Sequence, residues 1–163
     1  MASVDSATAR EQLMHAYLDA WNSHSADAVA AFFAPAATYD DRGAGAVAHG
    51  SDEIRAHVSS VQTAFPDLHF ELVRAAHGED FTAGEWRARM THGGELEGLR
   101  ATGRVVESEG VDVATLDDEG RILSLVSYYD GADIMRRLGL LPERGSRLER
   151  AFVRAASLLP RRA

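Results

Sequence analysis

The sequence predicts an α+β fold in which three N-terminal helices pack against one face of a curved, mainly antiparallel sheet. As far as Pro66, apolar residues recur at the spacing of three and four positions that is typical of amphipathic helices. From Leu68 to Tyr129 they alternate with polar residues, as in strands that have one buried face. Turn-forming Gly and Asp residues separate these alternating runs. Helices followed by a four-strand meander therefore define the predicted fold.

Composition and charge restrict the classes of protein to which the chain can belong. Its 163 residues suit a single domain with a substantial core, and a hydrophobic content of 45% excludes general disorder. The absence of cysteine excludes a disulfide scaffold and a thiolate nucleophile. The formal net charge of −8 argues against a nucleic-acid partner.

Targeting and membrane segments are not indicated by the sequence. The N-terminal residues Met1–Asp5 do not combine a basic stretch with a following apolar one, as a secretory leader would. No apolar run is long enough to span a bilayer. We therefore expect a cytoplasmic protein without a membrane span.

Three helices are predicted in the N-terminal part of the chain. The first covers Thr8–Asn22, and the second follows the N-cap Ser25 and ends near Phe33. The third begins after Ser51 and ends before Pro66, because proline cannot continue a helix. The apolar side of this third helix carries Ile54, Val58, Val61 and Phe65.

One short strand precedes the third helix, and four longer strands follow it. The short strand is Ala37–Tyr39, and the glycine-containing stretch Arg42–Ala46 after it is predicted to be a flexible loop. The four later strands are Leu68–Leu72, Phe81–His92, Arg104–Leu116 and Arg121–Tyr129. Gly110 is predicted to bend or bulge the third of them. Asp130 is predicted to cap a short helix that ends near Leu138.

The C-terminal residues are predicted to form a basic amphipathic extension, residues 141–163, beyond a folded domain of residues 1–140. Apolar and basic residues alternate there at helical spacing; they are Leu148, Phe152, Ala155, Leu158 and Leu159, with Arg147, Arg150 and Arg154 on the other side. Docking of this helix on the acidic body or at a subunit interface is favoured, because amphipathic helices usually bury against their own fold. A lid over a pocket and a helix on a membrane surface are the alternatives.

Asp112 is the most informative residue for function. It interrupts the apolar run Val111–Leu116 of a core strand, where an unpaired carboxylate is costly. Such an acid either has a partner or stays protonated, and a protonated carboxyl can donate a hydrogen bond to a substrate oxygen. Its neighbours on the same strand face include Ser108, Gly110 and Ala114, whose small size favours a cavity. A purely structural aspartate is the alternative.

Three stretches resemble ketosteroid isomerase, a member of the nuclear transport factor 2-like superfamily of cone-shaped α+β domains. The first is Tyr17–Asn22, and the second runs from Ala37 to Arg55. The third joins Val111–Val113 to Gly120–Ser124. This resemblance covers most of the chain up to about residue 138 and implies the cone-shaped version of the predicted fold.

The resemblance implies a general base, Asp41, and two donors to a substrate oxygen, Tyr17 and a neutral Asp112. Removing a proton next to a ketone places negative charge on the carbonyl oxygen. Two donors in a dry pocket stabilise that charge most strongly in the enolate-like transition state. One carboxylate can take the proton and return it to a nearby carbon. Such an isomerase needs no cofactor and no metal, and its partner is a hydrophobic small molecule, either steroid-like or polyketide-like.

Other stretches, Phe65–Leu68 and Thr91–Gly98, resemble the SnoaL-like polyketide cyclases of the same superfamily. Those enzymes carry a catalytic aspartate on the last strand, where this chain has Ser127, so their mechanism does not transfer directly. A polyketide cyclase, or an epoxide-opening cyclase that uses acids near positions 41 and 112, is the alternative to the isomerase. A small-molecule binding protein without catalytic activity is the second alternative.

The remaining predictions concern the pocket wall and the assembly. Five residues are predicted to line a pocket: Tyr39, Trp86, Ser127, Tyr129 and His92. Glu85 and Arg87 alternate on one strand face, and the sequence leaves open whether they face the pocket. The seven histidines form no pattern of metal ligands, so no metal site is predicted. The resemblance also implies a homodimer formed through the sheet.

Overall fold

The computed structural model describes residues 4–96 and 98–157, which form five helices and one open sheet of six strands. The helices are α1 (Val4–Asn22), α2 (Ala26–Ala30), α3 (Gly50–Ala64), α4 (Gly131–Arg137) and α5 (Arg147–Ser157). The strands are β1 (Phe33–Asp41), β2 (Ala46–His49), β3 (His69–His77), β4 (Phe81–Thr91), β5 (Val105–Leu116) and β6 (Ile122–Tyr129). The predicted α+β class, with three N-terminal helices and an extra C-terminal helix, is confirmed.

The strands follow the order β2-β1-β6-β5-β4-β3 across the sheet. Strands β3 to β6 form the predicted antiparallel meander. Strand β1 joins it beside β6 in the parallel direction, which makes the sheet mixed but mainly antiparallel. This parallel pairing matters for the site, because it places the C-terminal ends of β1 and β6 next to each other.

The first strand is longer than the predicted Ala37–Tyr39. It begins at Phe33, immediately after α2, and includes Pro35. The pairing of β1 with β6 is interrupted between Phe33 and Thr38, so the missing N–H of this proline leaves no ladder bond unmade. Helix α2 therefore ends at Ala30, earlier than the predicted end near Phe33, and Pro35 lies inside the strand that follows.

The sequence predicts a flexible loop over Arg42–Ala46 and no element between this loop and the third helix. Strand β2 was therefore not predicted. The structure has a tight hairpin, in which Asp41 pairs with Ala46 and β2 runs antiparallel to β1. Gly45 has a φ of 71°, a left-handed conformation that glycine adopts without a steric penalty. Four residues with a single β-branched side chain, Val47, are too short a pattern to indicate a strand.

The predicted bulge at Gly110 is wrong. Gly110 pairs in continuous register with Trp86 on one side and Tyr129 on the other, and the irregularity of β5 lies between Thr115 and Leu116. The glycine is needed for a different reason. A Cβ atom at this position would lie 2.5 Å from Cζ2 of Trp86, so glycine makes room for the indole ring.

The core lies between the inner face of the sheet and helices α1 and α3. Its fully buried side chains include Met14, Tyr17, Ile54 and Leu125. None of the helices within the described ranges combines the length and the apolar character needed to cross a bilayer.

Helix α5 forms as predicted but does not dock on the body of this chain. None of its residues is buried, and its apolar residues Leu148, Phe152 and Val153 are 66%, 59% and 59% exposed. The expectation that it packs on its own domain is therefore wrong for the described part of the extension, whereas docking at a subunit interface stays a prediction. Leu158 and Leu159, which belong to the same predicted helix, lie outside the described residues. The domain boundary near residue 140 stays a prediction.

Candidate active site

A cavity of about 420 Å³ lies between the helices and the inner face of the sheet. Its wall is mostly apolar and aromatic, with contributions from Trp21, Phe65, Phe70 and Trp86. Among the residues that the structure describes, the charged groups that line it are two carboxylates, Asp41 and Asp112, and no Arg, Lys or His takes part. The cavity therefore suits a hydrophobic ligand that presents neutral polar groups to two acids.

The sheet register explains why these two acids share one cavity. Asp41 on β1 pairs with Ser127 on β6, and Ser127 pairs with Asp112 on β5. The three residues therefore form one row across three neighbouring strands, with all three side chains on the inner face. Two strand spacings separate the backbones of the two acids, which corresponds to roughly 10 Å.

Asp112 accepts two hydrogen bonds on the same oxygen. The Ser127 hydroxyl donates to Oδ1 over 2.6 Å, and the Trp86 indole N–H donates to Oδ1 over 3.0 Å. Burial raises the pKa of Asp112 from an ordinary 3.8 to about 6, although these two donors oppose the rise and the charge of Asp41 adds to it. Near neutral pH, Asp112 can therefore exchange between a carboxylate and a hydrogen-bond-donating acid.

Asp41 has different partners, and they engage both of its oxygens. The backbone N–H of Ala44 donates to Oδ1 over 3.0 Å, and Nε2 of His57 lies 3.1 Å from Oδ2. The Ala44 contact depends on the turn after β1, where Gly43 lies against the ring of Tyr129. A Cβ atom at Gly43 would lie only 2.2 Å from that ring, so a larger residue would displace either the turn or the tyrosine.

Sequence reasoning missed His57 as a partner of Asp41. The residue lies on α3, three positions after Ile54 and four before Val61, so its half-buried imidazole shares the apolar side of that helix. A polar ring on an apolar helix face is a usable signal. It could have indicated a buried partner for the imidazole, but it could not have identified which acid lies opposite.

The three tyrosines of the site occupy different depths. Tyr39 and Tyr129 line the cavity, and the pKa of Tyr129 is raised by burial and by the nearby Asp41 carboxylate. Tyr17 is completely buried but is not part of the cavity wall. Its hydroxyl has no hydrogen-bond partner within residues 4–96 and 98–157, and burial together with Asp112 raises its pKa. An unpartnered buried hydroxyl is unfavourable, so a ligand oxygen that reached it would gain a bond.

The structure brings most of the predicted site residues together. Six of them line the cavity: Asp41, Asp112, Tyr39, Trp86, Ser127 and Tyr129. His92 does not line it, because its buried ring packs against Phe65 and bonds to Thr102 instead. The sequence left open whether Glu85 and Arg87 face the pocket. They do not, because both lie on the outer face of the sheet. Glu85 forms an ion pair there with Arg74.

Metal coordination has no support in the geometry of the described residues. Within that part of the chain, no three His, Asp or Glu side chains come together in an arrangement that could hold a metal ion.

The chain belongs to the family of SnoaL-like polyketide cyclases, whose family model matches residues 11–138. This stretch contains the whole cavity-forming sheet and ends at the last residue of the α4 region. A comparison with curated protein sequences found no match.

Solved structures of similar fold support the assignment of the architecture. AclR from Streptomyces galilaeus, provisionally described as a hydroxylase, has a TM-score of 0.73 and 23% identity, covering 92% of this chain and 93% of AclR. IdmH from Streptomyces antibioticus, provisionally described as a polyketide cyclase, has a TM-score of 0.67 and 22% identity, covering 80% of this chain and 98% of IdmH. A hypothetical protein with a ketosteroid isomerase-like fold from Catenulispora acidiphila, solved in complex with trimethylamine, has a TM-score of 0.69 and 19% identity, covering 79% of this chain and 93% of that protein. At these identities the likeness concerns the fold.

Proposed function

We propose that this protein is a cofactor-independent acid–base enzyme that closes a ring in a hydrophobic, polyketide-like ketone. The observation that carries the proposal is the row Asp41–Ser127–Asp112, which presents two differently partnered acids to one apolar cavity. Membership of the SnoaL-like polyketide cyclases supports ring closure as the outcome.

The proposed reaction begins when the Asp41 carboxylate removes a proton from a carbon next to a ketone. The C–H bond breaks, and its electron pair passes into the enolate, whose oxygen is stabilised by a hydrogen-bond donor. The enolate carbon then forms a C–C bond to a second carbonyl of the same substrate. The C=O double bond of that carbonyl becomes a C–O single bond, and the resulting alkoxide takes back the proton that Asp41 carries, which restores the Asp41 carboxylate without a cofactor.

Asp112 is proposed as the acid that donates a hydrogen bond to the substrate oxygen. Its pKa of about 6 leaves part of the population protonated near neutral pH in the empty cavity. A hydrophobic ligand that displaces water disfavours the charged form further. Tyr17 is proposed as a second donor for a ligand oxygen that penetrates behind the cavity wall, since its hydroxyl is buried there and has no partner in the described residues.

An isomerase is the second candidate, and the same pair of acids favours it. Without a second carbonyl in reach, the proton that Asp41 removes would return to another carbon of the ketone, with Asp112 and Tyr17 as oxygen donors. Proton removal by Asp41 is the first step of both reactions, so the substrate decides whether ring closure or isomerisation follows.

The test measures proton removal before ring closure. The protein is incubated in D2O with a bicyclic 1,3-diketone and, separately, with a β,γ-unsaturated 3-ketosteroid, and exchange and conjugation are followed by NMR and absorbance. We expect exchange above the buffer rate that Asp41→Asn abolishes. Conversion of the steroid would favour the isomerase. Binding of both probes without exchange or conversion would instead indicate a binding protein.

A homodimer formed through the outer face of the sheet is also proposed. Tyr128 is 50% exposed there, beside the half-buried Val111, Val113 and Val126. Apolar side chains on a sheet face are suited to a partner sheet. Light scattering on the full chain is expected to give twice the monomer mass, and Tyr128→Arg is expected to give the monomer.

A further inference from the structure

Asp41 has a hydrogen-bond partner, His57, that does not line the cavity. His57 reaches Asp41 from α3, with Nε2 at 3.1 Å from Oδ2. The His57 side chain is 16% exposed, whereas that of Asp41 is 6% exposed. The acid therefore faces the ligand on one side and an imidazole on the other.

We propose that His57 is a positioning residue that holds the Asp41 carboxylate in the orientation needed for proton removal. This inference rests on the proposed function, in which Asp41 is the base. The Ala44 N–H binds Oδ1 and the His57 ring binds Oδ2, so two donors on different elements define the plane of the carboxylate. Asp41 itself lines the cavity, so the oriented carboxylate borders the ligand space.

The imidazole is itself held in place. The rings of His57 and Tyr39 meet edge to face, with centroids 5.2 Å apart and an interplanar angle of 89°. Such a contact restricts rotation of the imidazole and keeps Nε2 directed at Asp41. Since Tyr39 also lines the cavity, one side chain touches both the ligand space and the positioning residue.

Asp112 provides the internal contrast. Its hydrogen-bond donors are a hydroxyl and an indole, and both bind the same oxygen. In the described structure, a histidine therefore supports one of the two cavity acids and neutral donors support the other. The contrast agrees with the different roles proposed for the two acids. Asp41 must be held in one orientation as the base, and Asp112 must be free to gain a proton.

The test compares two replacements of His57 on the β,γ-unsaturated ketosteroid or the 1,3-diketone, whichever the wild type turns over. His57→Phe keeps a ring against Tyr39 but removes the N–H donor. His57→Gln keeps a side-chain N–H. Misplacing a catalytic group by about 1 Å can cost on the order of 10²-fold in rate. We expect His57→Phe to lower kcat by about that factor with KM unchanged, and His57→Gln to retain most of the activity.

Two controls separate positioning from a general structural effect. In the Asp41→Asn background, adding His57→Phe should change the residual rate by less than about twofold, because the two residues act as one unit. His15→Phe, at an exposed position of α1, should leave kcat unchanged. Equal rates for wild type, His57→Phe and His57→Gln would overturn the proposal.

A separate measurement applies if the wild type turns over neither probe, a result that would overturn the proposed function. NMR of the ¹⁵N-labelled full chain should show a downfield proton on Nε2 of His57. The signal should disappear in Asp41→Ala. Its presence in wild type and loss in the variant would support the held carboxylate, and its absence from wild type would overturn it.

Discussion

The two faces of strand β4 show how differently one sheet uses its polar side chains. On the outer face, Glu85 pairs with Arg74 and is partly exposed to solvent. On the inner face, the next residue, Trp86, donates its indole N–H to the buried Asp112. Solvent screens the outer pair, whereas burial raises the pKa of the inner acid to about 6.

The difference teaches that position on the sheet, more than residue type, decides what a carboxylate can do. An outer acid exchanges its partner for water at little cost. An inner acid has lost its water, so every donor and every nearby charge changes its protonation. Function is therefore expected to respond strongly to changes on the inner face and weakly to equivalent changes on the outer face.

The largest expected effect comes from Asp41, whose neighbour Asp40 is a matched control on the other face of β1. Asp41→Asn removes the proposed base and should lower kcat for probe turnover by about 10²- to 10⁴-fold. Asp40→Asn affects an acid that pairs with the exposed Arg42 and should leave kcat within about twofold. Steady-state kinetics measures both. Similar losses in the two variants would contradict the contrast between the faces.

The next effect is on stability and follows from the pKa of Asp112. Because folding raises this pKa from 3.8 to about 6, the folded protein holds a proton that the unfolded chain releases. Its stabilising contribution is complete below pH 3.8 and is lost as the pH rises through about 6, a change of about 3 kcal/mol.

Urea unfolding between pH 4 and pH 7 measures this contribution. As the pH rises from 4 to 7, the unfolding free energy of wild type should fall relative to that of Asp112→Asn. Parallel stability curves for the two proteins would show that Asp112 keeps its ordinary pKa.

A smaller effect is expected at Gly110, where the inner face meets Trp86. A Cβ atom there would lie 2.5 Å from the indole, so Gly110→Ala should cost about 1–3 kcal/mol of unfolding free energy. The adjacent outer-face change Glu109→Ala should stay within about 0.5 kcal/mol. Chemical denaturation of both variants provides the comparison, and equal losses would argue against close packing of Trp86 on the glycine.

The smallest effect is expected for an ion pair on the outer face. Arg89 and Glu107 approach to 3.8 Å with side chains 64% and 73% exposed. Arg89→Ala should change the unfolding free energy by no more than about 0.5 kcal/mol, because solvent screens such pairs. Thermal denaturation measures the change, and a loss as large as that of Gly110→Ala would mean that the proposed dimer interface extends over this ion pair.

Sequence patterns were sufficient for most of the elements, but not for strand β2 or for the exact ends of the others. The alternation from Leu68 to Leu72 predicted β3, and the capping residue Asp130 predicted α4, because both signals are local. Strand β2 and the first residues of β1 were missed. Their pairing partners lie in other segments, so their own short sequences carry little signal.

Part of the candidate site was likewise recognisable from the sequence, and part of it was not. Asp112 was recognisable from its own strand, because an acid within the run Val111–Leu116 is anomalous wherever that strand packs. The pairing of His57 with Asp41 was not recognisable. It depends on how α3 crosses β1, and neither residue's neighbours in sequence record that contact.

The sequence by itself determined the α+β class, the helices, the meander and the presence of a buried acid, because periodicity and burial are local consequences of residue type. Only the tertiary structure decided that Asp41, Ser127 and Asp112 form one row and that Glu85 and Arg87 face away from the cavity. It also decided that α5 remains exposed. Register and helix placement arise from packing between distant segments, and a one-residue slip would turn each of these side chains to the opposite face.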